Sequence, residues 1–339
     1  MFRGPRSFQA AIILLCQFLL ISAARAQQTL PGARSAPEPG QPRINSEPRR
    51  TGPAARGNRD EGEVFLKISS EIVTLEITVT DKQHRLIPGL ESQHFEVYEN
   101  GVMQKIEFFS SVDMPASIAI VFDASDSMRP KLHRAREALE TFVKNSHLDD
   151  DFFLIAFNQR PRLVSGPADG ATVLRQLAGI SAAGSTALYD AAYLGVETLR
   201  QGRHKKQALL IVSDGQDNAS VFTDQNLSRL LKESDVQVYC IGIEAPQYYG
   251  DTLSQMGRDL LTQLARTTGG SAFFPHDGGE LEDAVTRIAL ELRRQYSVGY
   301  VPTNLRLDGK WRKIKVRLNP PPGLPRLVAR TRDGYFANP

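Results

Sequence analysis

The stretch Asp123-Ala124-Ser125-Asp126-Ser127 sets one carboxylate and two hydroxyls at alternate positions, directly behind the apolar run at 118–122. Two later segments add further oxygen. Gly184-Ser185-Thr186 stands just ahead of a helical pattern, and Ser213-Asp214-Gly215 directly follows the apolar run at 209–212. In a sheet of parallel strands, ligands gather at the carboxyl ends. Five donors from three loops would then converge: Asp123, Ser125, Ser127, Thr186 and Asp214. The set contains neither sulfur nor imidazole. Carboxylate and hydroxyl oxygens suit a hard divalent cation, Mg2+ first, with Mn2+ or Ca2+ as substitutes. Two carboxylates roughly neutralise such an ion, while uncharged hydroxyls leave it electrophilic, with a position open to a carboxylate from another molecule. The plainer alternative is local backbone chemistry, with Ser127 capping a helix and Asp214-Gly215 making a turn. That alternative accounts for any one segment; three segments in this order and context favour the shared cation. Asp126 reads as solvent-facing, and Asp217 as a loop residue or a supporting group.

The elements that must position these donors follow from hydrophobic periodicity. Residues 118–122, 152–157 and 209–212 are unbroken apolar runs, and 236–243 is nearly so, interrupted by Gln237, the pattern of strands buried on both faces. Between them, Leu132, Ala135, Leu139, Phe142 and Val143 share a helical face, as do Leu188, Ala192, Gly195 and Leu199. Leu260, Leu261 and Leu264 mark a helix ended by Gly269-Gly270, and Leu281, Val285, Ile288 and Leu292 mark a last one. Strands alternating with amphipathic helices predict an α/β fold with a doubly wound, mostly parallel sheet over residues 115–295.

Both flanks switch to period two. Val73, Leu75, Ile77 and Val79 alternate with polar residues. Phe95 and Val97 lead to the hairpin signal Glu99-Asn100-Gly101, with Ile106 and Phe108 alternating after it. Beyond Gln295, Val298 and Tyr300 precede a turn near Asp308-Gly309. Ile314, Val316 and Leu318 then alternate with basic residues, and 326–336 reads as one more strand. Some 50 residues at 63–112 have too few large apolar side chains for a core of their own. We therefore expect 63–112 and 296–339 to pair into one small β-rich domain with the α/β unit inserted between them.

The series Asp-x-Ser-x-Ser, a later Thr and a later Asp-Gly resembles the metal-ion-dependent adhesion site of von Willebrand factor A (VWFA) domains. All five motif positions are matched, at Asp123, Ser125, Ser127, Thr186 and Asp214. The order of strands and helices over 117–295 is similar to that family's Rossmann-like fold. The flanks carry a narrower likeness. Val79-Thr80-Asp81, Phe95-Glu96-Val97-Tyr98-Glu99-Asn100-Gly101 and Asp333-Gly334-Tyr335-Phe336 resemble secreted bacterial "VWFA-related" proteins abundant in acidobacteria. This resemblance implies a binding protein without catalytic activity, whose bound metal is completed by an acidic side chain of a protein partner.

Residues 1–26 set the expected destination. Arg3 and Arg6, an apolar run at 8–22 and Ala24-Arg25-Ala26 form a secretory signal pattern with cleavage after Ala26. The apolar run is shorter than the ~20 residues of a bilayer span, so no membrane span is expected after cleavage. Cleavage removes Arg3, Arg6 and Arg25 and no acid, bringing 41 basic and 38 acidic residues to parity. No bulk charge then argues for nucleic acid. Residues 27–62 are rich in Pro, Gly, Arg, Ser and Gln and read as a disordered linker. Cys240, the single cysteine beyond residue 26, lies in an apolar run and reads as a buried core thiol. The product is expected in the periplasm, the cell envelope or the extracellular space.

Enzyme signatures are weak. His84, His94, His133, His147, His204 and His276 are scattered, with no zinc-binding spacing, no Gly-x-Ser-x-Gly elbow and no phosphate loop behind the first buried strand. Arg203-His204-Lys205-Lys206 reads as a solvated loop. Two alternatives to the binding protein stand: an envelope scaffold whose metal only staples loops, and a metal-assisted hydrolase.

Overall fold

The computed structural model describes residues 72–243 and 252–337. The expected signal peptide at 1–26, the linker at 27–62 and the start of the first β-unit at 63–71 lie outside the described residues. The first flank forms β1 (Val73–Asp81), β2 (Phe95–Glu99), β3 (Val102–Gln104) and β4 (Ile106–Ser110). The middle of the chain forms β5 (Ser117–Asp123), α1 (Leu132–Asn145), β6 (Asp151–Phe157), β7 (Pro161–Ala168) and α2 (Gly170–Ala178). It continues with α3 (Leu188–Leu199), β8 (Gln207–Ser213), α4 (Asp224–Glu233), β9 (Gln237–Gly242), α5 (Thr252–Thr268), β10 (Ala272–Phe273) and α6 (Gly278–Arg293). The second flank forms β11 (Tyr296–Tyr300), β12 (Trp311–Leu318), β13 (Leu327–Arg330) and β14 (Gly334–Phe336).

The central sheet has the order β10-β9-β8-β5-β6-β7. β5 pairs in parallel with both β6 and β8, and β9 and β10 continue the parallel array. Period-two alternation divides each strand between two cores. Ile118, Ile120 and Phe122 share one with Leu139 and Phe142 of α1 and Ile288 of α6. Ala119 and Val121 share the other with Leu188 and Val196 of α3 and Leu261 of α5. This is the doubly wound, mostly parallel α/β sheet that the apolar runs predict. The chain leaves β5 for β6, then crosses back to reach β8 on the other side. The strand order thus reverses at β5, and the crevice of the fold opens at the carboxyl ends of β5 and β8.

Three features were not marked by the pattern. β7 is antiparallel and partly exposed along its length, an edge strand that tolerates Pro161 and Pro167. α2 starts on Asp169, whose carboxylate accepts from the Thr172 amide, and α4 starts on a Thr223–Asn226 capping box. Both helices are short, so their apolar faces give few repeats to read.

The two flanks build two sheets, ordered β13-β1-β11-β4 and β14-β12-β2-β3. Each takes strands from both ends of the chain, with Leu75 opposite Val298 and Val97 opposite Val316. They enclose one core of Leu75, Ile77, Phe95, Val97, Tyr296, Val298 and Ile314 among others. Two local expectations are corrected. The strand returning from the Asn100-Gly101 turn is β3, not the segment beginning at Ile106. Asn100 and Gly101, at φ 47° and 85°, make a turn tight enough to pair Glu99 with Val102. β4 instead joins the other sheet beside β11. The segment at 326–336 is two strands. β13 pairs with β1, and the chain then crosses at 331–333 so that β14 pairs with β12. Arg332 fastens that crossing to Asp235 and to the Thr74 carbonyl.

Buried polar groups join the flank sheets to the α/β unit. The Gln295 amide donates to Gln237 Oε1 at 2.6 Å and to Thr78 Oγ1 and Tyr239 Oη at 3.2 Å. Glu291, fully buried on α6, meets Arg330 of β13 at 2.6 Å and Arg287 at 3.4 Å. Cys240 is a free buried thiol whose pKa burial pushes up.

Candidate metal centre

The apolar side chains of β5 hold its last residue, Asp123, at the carboxyl edge of the sheet and out of solvent. The chain then turns through a 3-10 segment, Asp126–Lys131, before α1 begins. Met128 of that segment is fully buried in the core below and pins the loop. Asp123 Oδ1 accepts from the Ser125 amide at 2.9 Å, which folds the loop back on the strand end. Ser125 is buried and Ser127 exposed, and their hydroxyl oxygens lie 3.1 Å apart.

The second loop, 183–187, is tied to the first by backbone. The Ala183 amide donates to the Ala124 carbonyl at 2.8 Å and the Asp126 amide to the Gly184 carbonyl at 2.9 Å. Asp126 adds a side-chain tie, since its Oδ2 accepts from the Gly184 amide at 3.0 Å. Arg129, 2.5 Å away, and that amide hold the Asp126 carboxyl below the usual carboxylate range. Asp126 thus faces solvent, as the sequence suggests, and also clamps the two loops together. Thr186 is buried. Among the described residues, no hydrogen bond engages its hydroxyl, while its backbone amide donates to Asn218 Oδ1 at 2.9 Å.

The third loop follows β8. Ser213, the last residue of that strand, donates its hydroxyl to Asp123 Oδ2 at 2.5 Å and accepts from the Gly215 amide at 3.1 Å. Gly215 has φ +80°, and a Cβ there would lie 2.6 Å from the Gly257 carbonyl of α5, so only glycine fits. The amides of Asn218 and Ala219 donate to the Thr186 carbonyl at 2.9 and 3.0 Å. Asp217 accepts from the Tyr189 amide at 3.1 Å, stabilising the start of α3.

All three segments singled out in the sequence therefore meet, and hydrogen bonds link each to the other two. Burial, and then the nearby Asp214 carboxylate, push the pKa of Asp123 up to about 6. Two neighbouring carboxylates withdrawn from water need compensating positive charge, part of which Lys131 supplies to Asp214. Among the described residues, no group of three or more His, Cys, Asp or Glu side chains is placed to hold a metal. The five candidate donors named from the sequence are two carboxylates and three hydroxyls, a composition that fits a hard cation.

Sequence reasoning missed Lys131. Its Nζ lies 2.9 Å from Asp214 Oδ2, with the two side chains 7% and 5% exposed. Ser213 and Asn218 were likewise not assigned the contacts described above, whereas Asp217 sits in the loop as the sequence suggests and supports α3. Spacing alone gives no signal for Lys131, which stands 83 residues from its partner.

The profile of the von Willebrand factor type A domain matches residues 117–287, about half of the chain. The chain belongs to this family. No match is found among curated proteins. Solved structures similar to this von Willebrand factor type A protein include BatB from Bacteroides thetaiotaomicron, with a TM-score of 0.44 and 15% identity over 53% of this chain and 98% of that one. The von Willebrand domain of the type V pili tip protein Mfa5 from Porphyromonas gingivalis aligns with a TM-score of 0.45 and 13% identity, covering 53% of this chain and 95% of that one. Proximal thread matrix protein 1 of the mussel byssus, in a form with zinc in its MIDAS motif, aligns with a TM-score of 0.41 and 20% identity, covering 57% and 49%.

Proposed function

We propose that this von Willebrand factor type A protein is an exported, non-catalytic binding module whose partner protein docks through an acidic side chain on a divalent cation. Asp123, Ser125, Ser127, Thr186 and Asp214 would hold the ion, with Mg2+ the preferred species. Such an ion supplies a Lewis-acidic point to which an incoming carboxylate coordinates. The observation that carries this reading is the closed ring of hydrogen bonds among the three loops, which brings the segments bearing these residues together at one edge of the sheet. Ser127 lies at the solvent side of that edge, where a partner can reach it.

Further observations support the separate parts. Among the described residues, the hydrogen bonds of Asp123, Ser125, Ser127 and Asp214 run to serine, lysine and backbone groups. Export rests on the signal pattern of residues 1–26. Among the described residues, no helix is long and apolar enough to cross a membrane.

The test is capture from the native envelope fraction by the immobilised mature chain, with and without EDTA and with Mg2+ restored, beside an Asp123→Ala variant. Retention of a partner that is lost on chelation, regained with Mg2+ and absent from the variant is the expected result. Retention that survives both treatments removes the metal bridge. A melting temperature raised by Mg2+ with unchanged partner retention would favour the scaffold instead. Turnover in an esterase and phosphoesterase screen would favour the hydrolase.

A further inference from the structure

Lys131 occupies an expensive position. It closes the 3-10 segment and serves as the N-cap residue of α1, where the helix dipole presents positive charge. Its side chain is almost wholly buried, a placement lysine tolerates only when paired. The partner is Asp214 Oδ2, at 2.9 Å. Asp214 Oδ1 has a weaker contact, from the Gln216 amide at 3.4 Å. The ammonium therefore engages a carboxylate oxygen that the candidate metal centre also needs.

We propose that Lys131 is a tethered cation that competes with the divalent ion for Asp214 and so holds the metal affinity of the centre down. The proposal rests on the metal reading given above. An ammonium at hydrogen-bond distance from one ligand repels a second cation and must give up its own contact, wholly or in part, when the ion takes that oxygen. Removing the ammonium relieves both effects. Repulsion between two cations a few ångströms apart survives the screening found inside proteins, so the gain in metal affinity should reach at least about ten-fold.

The experiment is calorimetric titration of Mg2+ and Mn2+ into the mature chain as wild type, Lys131→Met, Lys131→Gln and Lys144→Met. Each protein is also melted in EDTA and in Mn2+. Lys131→Met and Lys131→Gln should bind at least about ten-fold tighter than wild type. Lys144→Met, which removes an equal charge from an ammonium 68% exposed on α1 and outside the three loops, should bind as wild type does. In EDTA, Lys131→Met should melt below wild type because Asp214 is left unpaired, and Mn2+ should close that gap. Lys131→Gln keeps a donor for Asp214 and gives the affinity if the Met variant does not fold in EDTA. Equal or weaker metal binding by both variants, or a melting gap that Mn2+ leaves unchanged, overturns the proposal. If wild type binds metal and the variants bind it equally, only the role of Lys131 falls. If no form binds metal, the metal reading falls with it.

Discussion

Replacing Asp123 with Asn should make the metal-free protein more stable while removing its response to metal. Asp123 is fully buried and lies against a second carboxylate, and these two causes, burial first, raise its pKa from 3.8 to about 6. Above pH 6 the folded chain carries a charge that the unfolded chain carries more comfortably, a difference worth about 3 kcal/mol. Asparagine has the same shape and no charge. Its Oδ1 can keep the Ser125 amide, and its NH2 can donate to the Ser213 hydroxyl once that hydroxyl turns. Neutral hydrogen bonds are weaker than charge-assisted ones, so we expect a net gain of about 2 kcal/mol in urea unfolding with EDTA at about pH 8. The sign with pH follows from a raised carboxyl. Its destabilising effect is fully present above the folded value and fades as pH falls from about 6 toward 3.8. The advantage of the variant should shrink across the same window. Mg2+ should raise the unfolding midpoint of wild type and leave the variant unmoved. A variant no more stable than wild type at pH 8, or one whose advantage does not change with pH, would refute the account of Asp123 as a strained, desolvated charge.

Other substitutions probe the supports around it. Ser213→Ala removes the 2.5 Å bond to Asp123 and the acceptor for the Gly215 amide. Calorimetry should show metal affinity lowered by about ten-fold, and unchanged affinity would mean that Ser213 does not orient the carboxylate. Gly215→Ala forces a Cβ against the Gly257 carbonyl at φ +80°. It should lower stability by more than about 1 kcal/mol and weaken metal binding through displacement of the third loop, which paired denaturation and titration experiments would read. Arg330→Ala strips one partner from the buried Glu291 and should cost about 2 kcal/mol in chemical denaturation, Arg287 remaining as a second partner. A chain ending at Gln295 lacks β11, the strand between β1 and β4. It should melt with lower cooperativity and exchange the amides of β1 rapidly, and a melt as sharp as that of the mature chain would count against the shared sheets.

The parts of the fold that the sequence displays are those with many repeats of one period. Residues 118–122 and 209–212 are apolar without a break, which admits little besides buried strands, and the oxygen-bearing segments directly behind 122 and 212 follow them to the same edge. Alternation at Val73, Leu75, Ile77 and Val79 likewise marks β1. Short or edge elements were not legible. β7 faces solvent along much of its length, and Leu163 within it is exposed, so period two is blurred. The division of 326–336 into β13 and β14 depends on which sheet each piece joins, a fact held by distant strands. Lys131 was hidden for a related reason. A lysine just before an amphipathic helix reads as solvated, and only the packing of β5 beside β8 carries it to Asp214.

The interleaving of the two ends also shapes how the chain must fold. Glu76 and Ser297 are hydrogen-bonded partners on adjacent strands, yet 221 residues separate them. β2 pairs locally with β3, but β1 and β4 find β11, and β2 finds β12, only after residues 296–318 have left the ribosome. The von Willebrand unit, whose parallel strands and helices are joined by shorter connections, can consolidate before that moment. Such high contact order makes docking of the ends the slow step, and β1 and β4 must wait for β11 to arrive between them.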